Sequence, residues 1–130
     1  MKKIKGISEA DVIFMVIAPY IMHQCWVSYQ MGCGQKYNVV PTEWQIASLV
    51  DACLSFRRNP FLTAKQNHKL WMDYKLSKGW KYGKKKDVKK KTHYCLVPYS
   101  KLPKVEKQKD VMDIEARRCA MMLAKKLSKR

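Results

Sequence analysis

The sequence predicts a mainly α fold with a small antiparallel β element, its helices arranged as two halves related by an approximate twofold axis. Three observations carry this: repeated helix-capping signatures, an apolar stripe at helical spacing near the C-terminus, and an internal repeat. A capping hydroxyl followed three residues later by an acid or amide occurs at Ser8 with Asp11, Thr42 with Gln45 and Thr63 with Gln66. Each pair satisfies free backbone N–H groups at a helix start.

The first helix is expected to run to about Gln30, with Pro19 inside it and Gly32 and Gly34 ending it. The second runs from Pro41 and Thr42 to about Phe56, with Trp44, Ala47, Ser48 and Asp51 on one side and Ile46, Leu49, Val50 and Cys53 on another. The third runs from Thr63 to Lys78 and stops at Gly79. Trp80 to Gly83 alternates aromatic with polar residues, and Cys95 to Val97 is a short apolar run. An antiparallel pairing across the intervening lysine loop is therefore expected. Pro103 opens a last helix whose Met112, Ala116, Cys119, Leu123 and Leu127 mark a core-facing stripe.

Shifting the chain by 45 residues lays His23, Trp26, Tyr29, Gly34, Lys36 and Tyr37 over His68, Trp71, Tyr74, Gly79, Lys81 and Tyr82. The pattern H-x-x-W-x-x-Y-x4-G-x-K-Y thus occurs twice, each time at the end of an expected helix. One domain over residues 1–130 is expected, with half-repeats at about 8–57 and 63–127.

The 27 Lys and Arg against 10 Asp and Glu leave a net charge of +17, which draws phosphates, nucleotides or nucleic acid over long range. Six lysines fall in the eight residues Lys84 to Lys91, and Lys125, Lys126, Lys129 and Arg130 form a second cluster. Either is equally readable as a solvated basic face. The five cysteines show no C-x-x-C pair and no zinc spacing, which points to reduced thiols in a cytoplasmic compartment. Lys2, Lys3 and Lys5 precede an apolar run from Val12 to Met22. Glu9, Asp11 and Pro19 argue against a signal peptide, and about eleven residues are too few to span a bilayer, so no membrane partner is expected.

The stretch His68-x-x-Trp71-x3-Lys75-x3-Gly79-Trp80-x-Tyr82-Gly83-x3-Asp87-x5-His93-x-Cys95-Leu96-Val97-Pro98-Tyr99-x2-Leu102-Pro103-x2-Glu106-Lys107-x2-Asp110 resembles the ryanodine-receptor repeat (RyR) domain. That element occurs as repeats in the cytosolic part of calcium channels and as stand-alone small proteins of bacteria and phages. His23, Tyr29 and Glu43-Trp44-Gln45 also resemble the stand-alone form. Tyr94 departs from the family, which has proline there, and Trp26 stands where the relatives carry a polar residue.

The resemblance implies a non-enzymatic binding protein. Paired H-x-x-W tryptophans of the channel's tandem repeats can flank an adenine base, so Trp26 and Trp71 are either two core residues or two walls of a nucleobase site. Around them His23, His68, Lys75, Trp80, Lys81 and Tyr82 complete the candidate ligand site, with Lys75, Lys81 and the lysines of the Lys84–Lys91 loop expected to meet its phosphates. The histidines are equally readable as satisfied buried groups, and His93 as a structural turn residue. Asp87, Glu106 and Asp110 are dispersed and are expected to cap helices or pair with lysines. No phosphate loop, nucleophile motif or metalloprotease motif occurs, so neither catalysis nor a cofactor is expected. The expected partner is a small nucleotide-type ligand, such as a signal that a phage protein sequesters or a bacterial protein senses. The alternatives are a protein-interaction or homo-oligomeric assembly module, and weak nonspecific nucleic-acid binding.

Overall fold

Ser8, Thr42 and Thr63 each accept a hydrogen bond from the backbone N–H three residues on, at 3.0, 3.3 and 3.2 Å. The side chains of Asp11, Gln45 and Gln66 return to the capping residue's own N–H, at 3.2, 2.9 and 2.9 Å. All three helices therefore start where the sequence places them: α1 at Glu9–Cys33, α2 at Glu43–Arg58 and α3 at Ala64–Ser77. Gly34 (φ 70°) closes α1 in the left-handed conformation, and Gly79 (φ 87°) follows α3 in the same way. A fourth helix, α4, spans Lys104–Ser128 after Pro103. These assignments come from a computed structural model that describes residues 6–129. Lys2, Lys3, Lys5 and Arg130 of the basic termini lie outside the described residues.

The core forms where α1, α2 and α4 meet. Phe14, Ala18 and Met22 of α1 face Ala116, Ala120 and Ala124 of α4, both rows at four-residue spacing, with Cys53 and Phe56 of α2 filling the third side. Phe14 and Phe56 stack at 5.8 Å. This corrects the expected α4 stripe: of its members only Ala116 is buried, whereas Cys119 and Leu123 are exposed and Met112 and Leu127 half-buried. Helix separation depends on the side chains at the contact, and an alanine row lets α1 and its large side chains come close.

By length and composition α1 is apolar and long enough to cross a membrane, longer than the eleven-residue run suggested. Here its inner face packs on α2 and α4, and it buries two polar side chains, His23 and Gln30.

The β element is parallel, not antiparallel. β1 (Lys81–Tyr82) pairs with β2 (Thr92–His93), Lys81 opposite Thr92 and Tyr82 opposite His93. The chain reverses twice in between. Asp87 first forms an antiparallel bridge with Thr92, and Lys91 (φ 53°) then turns it again, so β2 returns in the direction of β1. Gly83 permits this closeness, because a Cβ there would lie 2.7 Å from Cβ of Thr92.

The expected pair of similar halves is not supported either. α1 has 25 residues against 14 in α3, α2 has 16 against 25 in α4, and both strands belong to the second half. What recurs is local. His23 Nε2 donates to the Asn38 carbonyl at 2.9 Å and His68 Nε2 to the Val97 carbonyl at 2.8 Å, and each ring leans on the tryptophan of the next turn.

The corrected α4 face is testable by substitution. Ala120→Leu should lower stability by about 1–3 kcal/mol through overpacking, whereas Leu123→Ala should change it by less than about 0.5 kcal/mol in urea melts. The opposite ranking would restore the leucine stripe.

Candidate functional site

All four helices and the segment around β2 converge on a cavity of about 210 Å³. Three half-buried indoles line it: Trp26 from α1, Trp44 from α2 and Trp71 from α3. His23 and His68 orient two of them, the ring pairs lying 5.3 and 5.6 Å apart. Since a carbonyl only accepts, Nε2 of each histidine carries the proton. His68 also faces the Asp110 carboxylate at 3.6 Å. Burial disfavours its charged form, but Asp110 and the Val97 carbonyl outweigh that and raise its pKa.

Lys75 is the most unusual group in the cavity. It is 4% exposed, and its ammonium sits 4.4 Å from the ring centre of Trp44 and 4.8 Å from that of Trp80. Among the described residues it makes no hydrogen bond and no ion pair. Burial, and then the neighbouring Lys86 ammonium, bring its pKa down to about 8. Lys86 is exposed as a residue, yet its ammonium reaches into the cavity, 5.7 Å from Trp26 and 5.6 Å from Trp44. Burial and the Lys109 charge lower its pKa too.

Opposite the lysines stand acceptors. Gln30 is 7% exposed; its Nε2 donates to the Lys36 carbonyl at 2.7 Å, which fixes the amide and leaves Oε1 buried without a partner. Asp113 is half-buried on the cavity wall, and burial pushes its carboxyl up to about 7 despite the nearby Arg117. Glu106 is tied down, accepting from the Tyr94 hydroxyl at 2.8 Å and pairing with Lys109 at 3.1 Å. Burial would raise its pKa, but those two partners hold it below the usual carboxylate value. Tyr94 also stacks on His93 at 5.0 Å, so it anchors the turn.

His93 meets Trp71 edge-on at 5.1 Å, and its Nδ1 accepts the Cys95 N–H at 3.0 Å. In the neutral ring the proton is therefore on Nε2. Burial, with Lys86 and Lys75 nearby, brings its pKa down to about 3. It closes a turn, as expected, and it also forms part of the wall.

Beneath the cavity, Arg117 is 1% exposed and joins three helices. It donates to the carbonyls of Ala52 at 2.8 Å and Asp113 at 3.1 Å, and to Oδ1 of Asn67. Asn67 Nδ2 in turn donates to Asp110 at 3.0 Å.

Of the sequence-predicted site, Trp26, Trp71, His23, His68 and Lys75 come together on the cavity wall. Trp80 does not line it; it is buried behind Trp44 at 5.5 Å and supports Lys75. Lys81 and Tyr82 are exposed on β1 and do not line the cavity. Sequence reasoning missed Trp44, Gln30 and Asp113, and it offered the Lys84–Lys91 loop as a source of phosphate contacts without singling out Lys86, the loop lysine that lines the cavity. Trp44 had a signal, the Glu43-Trp44-Gln45 element, of which capping accounts only for Gln45.

Two histidines give stability opposite pH dependences. The folded chain keeps His93 neutral to about pH 3 against an ordinary 6.5, so the unfolded chain takes the proton first and stability falls as pH drops through that window. His93→Gln should flatten this acid limb in urea melts between about pH 7 and about pH 4. The raised pKa of His68 acts the other way: its contribution is complete below the ordinary value and is lost as pH rises through the folded one. Asp110→Asn should therefore remove stability chiefly on the acid side, and an equal loss at all pH values would contradict the pairing.

A family model, the RyR domain, matches residues 57–126. The match spans α3, both strands and nearly all of α4, and so most of the wall opposite α1. Covering more than half of the sequence, it shows that the chain belongs to the RyR domain family.

Proposed function

We propose that the chain is a non-enzymatic binding module whose cavity takes a nucleotide or nucleotide-derived signalling molecule, to sense or to sequester it. The observation that carries this reading is Lys75, a buried ammonium with only aromatic partners, aimed into a cavity walled by indoles. A buried charge is costly unless paired. Cation–π contact with two rings offsets part of that cost, at about 0.5–2 kcal/mol each, and an arriving anion would offset more. Lys86 on the other edge of the Trp44 ring makes a two-lysine anion site.

The indoles supply the neutral half of recognition. Base stacking contributes about 1–3 kcal/mol per base, sequence-tolerantly, and Trp26, Trp44 and Trp71 offer three faces. The buried Gln30 Oε1 awaits an N–H or O–H donor. A cavity of 210 Å³ falls below the roughly 300–1,000 Å³ of drug-sized sites, so it encloses one ring system and leaves the rest of the ligand toward the lysine loop. Lys81 has no place in this scheme, being on exposed β1.

Mass spectrometry of small molecules released on denaturing the purified protein would identify a carried ligand without prior choice. Calorimetric titration with adenine nucleotides, cyclic nucleotides and ADP-ribose should show binding that Trp71→Ala weakens about ten- to a hundredfold, the loss of one stacking face. Lys75→Met should weaken it similarly while the thermal melt stays near that of the parent. A parent that binds none of these and releases nothing would refute the reading.

The exposed loop lysines Lys84, Lys85, Lys89, Lys90 and Lys91 favour weak contact with nucleic acid as a second property. Such binding should fall by orders of magnitude between low and physiological salt, as counterion release dictates. Tight, sequence-selective binding that persists at physiological salt would contradict it.

A further inference from the structure

Three ammonium groups, from Lys75, Lys86 and Lys109, line one cavity, and they are not equivalent. Lys109 is neutralised by Glu106 at 3.1 Å and held by Gln35 at 2.7 Å. Lys75 is a buried residue whose ammonium lies against Trp44 and Trp80. Lys86 alone comes from an exposed loop, and it lies against Trp26 and Trp44, two of the three indoles on which a ring would stack. Its loop is anchored elsewhere: the Asp87–Thr92 bridge and the Thr92 hydroxyl, donating to the Lys85 carbonyl at 2.9 Å, hold the backbone without using the Lys86 side chain.

We propose that Lys86 is the charge selector of this cavity: its ammonium occupies the indole faces in the free protein and yields them only to a ligand whose negative charge it can follow. The inference rests on the nucleotide reading above and concerns which ligands that site admits.

Ligand and ammonium compete for the indole faces. A neutral ring entering the cavity must displace the Lys86 ammonium from two cation–π contacts and leave it near the Lys75 charge with nothing in return. A ring bearing phosphate displaces the same contacts but gives the ammonium a charged partner in a partly desolvated place, and it relieves the repulsion between Lys86 and Lys75. Glu106 attracts Lys86 only from a distance and makes no ion pair with it, its oxygens being engaged by the Tyr94 hydroxyl and the Lys109 ammonium. The device therefore penalises nucleosides and favours nucleotides through one side chain. Removing it should move the two affinities in opposite directions, which a lysine that merely buttresses the fold would not do.

The test is calorimetric titration of the parent, Lys86→Ala and Lys86→Arg with adenosine and with adenosine 5′-monophosphate. The parent should prefer the monophosphate. Lys86→Ala should bind the monophosphate about tenfold more weakly, the scale of one partly desolvated charge contact, and adenosine more tightly. Lys86→Arg should retain most of the preference. As a ligand-free check, removing a cation from two indoles should change tryptophan emission in Lys86→Ala with no change in the thermal melt. Equal weakening of both ligands, or no change in either, would overturn the selector while leaving the nucleotide reading standing. Failure of the parent to bind either compound would overturn both.

Discussion

Arg117 is the constraint on which the rest of the structure depends. A guanidinium almost without solvent contact must place its donors on oxygens, and here those oxygens are the Ala52 carbonyl of α2, Asn67 of α3 and the Asp113 carbonyl of α4. Three helices are thereby fixed at one point. The chain of contacts continues by a hydrogen bond from Asn67 to Asp110, a 3.6 Å charge contact between Asp110 and His68, and a hydrogen bond from His68 to the Val97 carbonyl, where it reaches the segment after β2. A network of this kind stabilises only if every member is satisfied, and breaking one buried pair typically costs about 3–5 kcal/mol. Apolar burial at Phe14, Phe56 and the alanine row holds the helices together, but the polar chain sets where α3 lies and so where Trp71 and Lys75 point.

Between the network and the cavity the physical chemistry changes character. Below, among the described residues, the nitrogens of Arg117 and Asn67 each donate to an oxygen. Above, among the described residues, the buried Gln30 Oε1 has no donor, and the ammonium of Lys75, a residue more than nine-tenths buried, has only aromatic partners. Buried polar groups in folded chains are nearly always satisfied, so unsatisfied ones facing a common space describe the molecule that completes them. Complementing them calls for negative charge near the α3 wall, a donor near the α1 wall and a flat apolar body between indoles. The RyR domain match covers α3, both strands and nearly all of α4. The ligand reading comes from these side chains.

How much of this was legible in the sequence follows from how local each signal is. Each capping box is complete within four residues, and all three starts are where the sequence puts them. Strand direction was not legible, because two reversals inside one lysine-rich loop look like a single hairpin until the Asp87–Thr92 bridge is known. The α4 register was missed for a related reason: hydrophobic size ranks leucine above alanine, while the close approach of α1 required the smaller residue. The 45-residue repeat reflected a real recurrence, two histidines bonded alike beside two tryptophans, but not two similar halves. Trp44 went unrecognised as a site residue because its neighbours in the cavity come from α1 and α3, far away in sequence, and nothing local distinguished Lys86 from the other lysines of its loop.

The central claim is that Lys75 is a buried cation kept for an anion, and nitrogen-detected NMR of its side-chain ammonium tests it most directly. In the free protein its pKa should lie near 8 rather than the ordinary 10.5. Added adenosine 5′-monophosphate should raise it, because an anion against the ammonium favours the charged form. An ordinary pKa in the free protein that the monophosphate leaves unchanged would contradict the account.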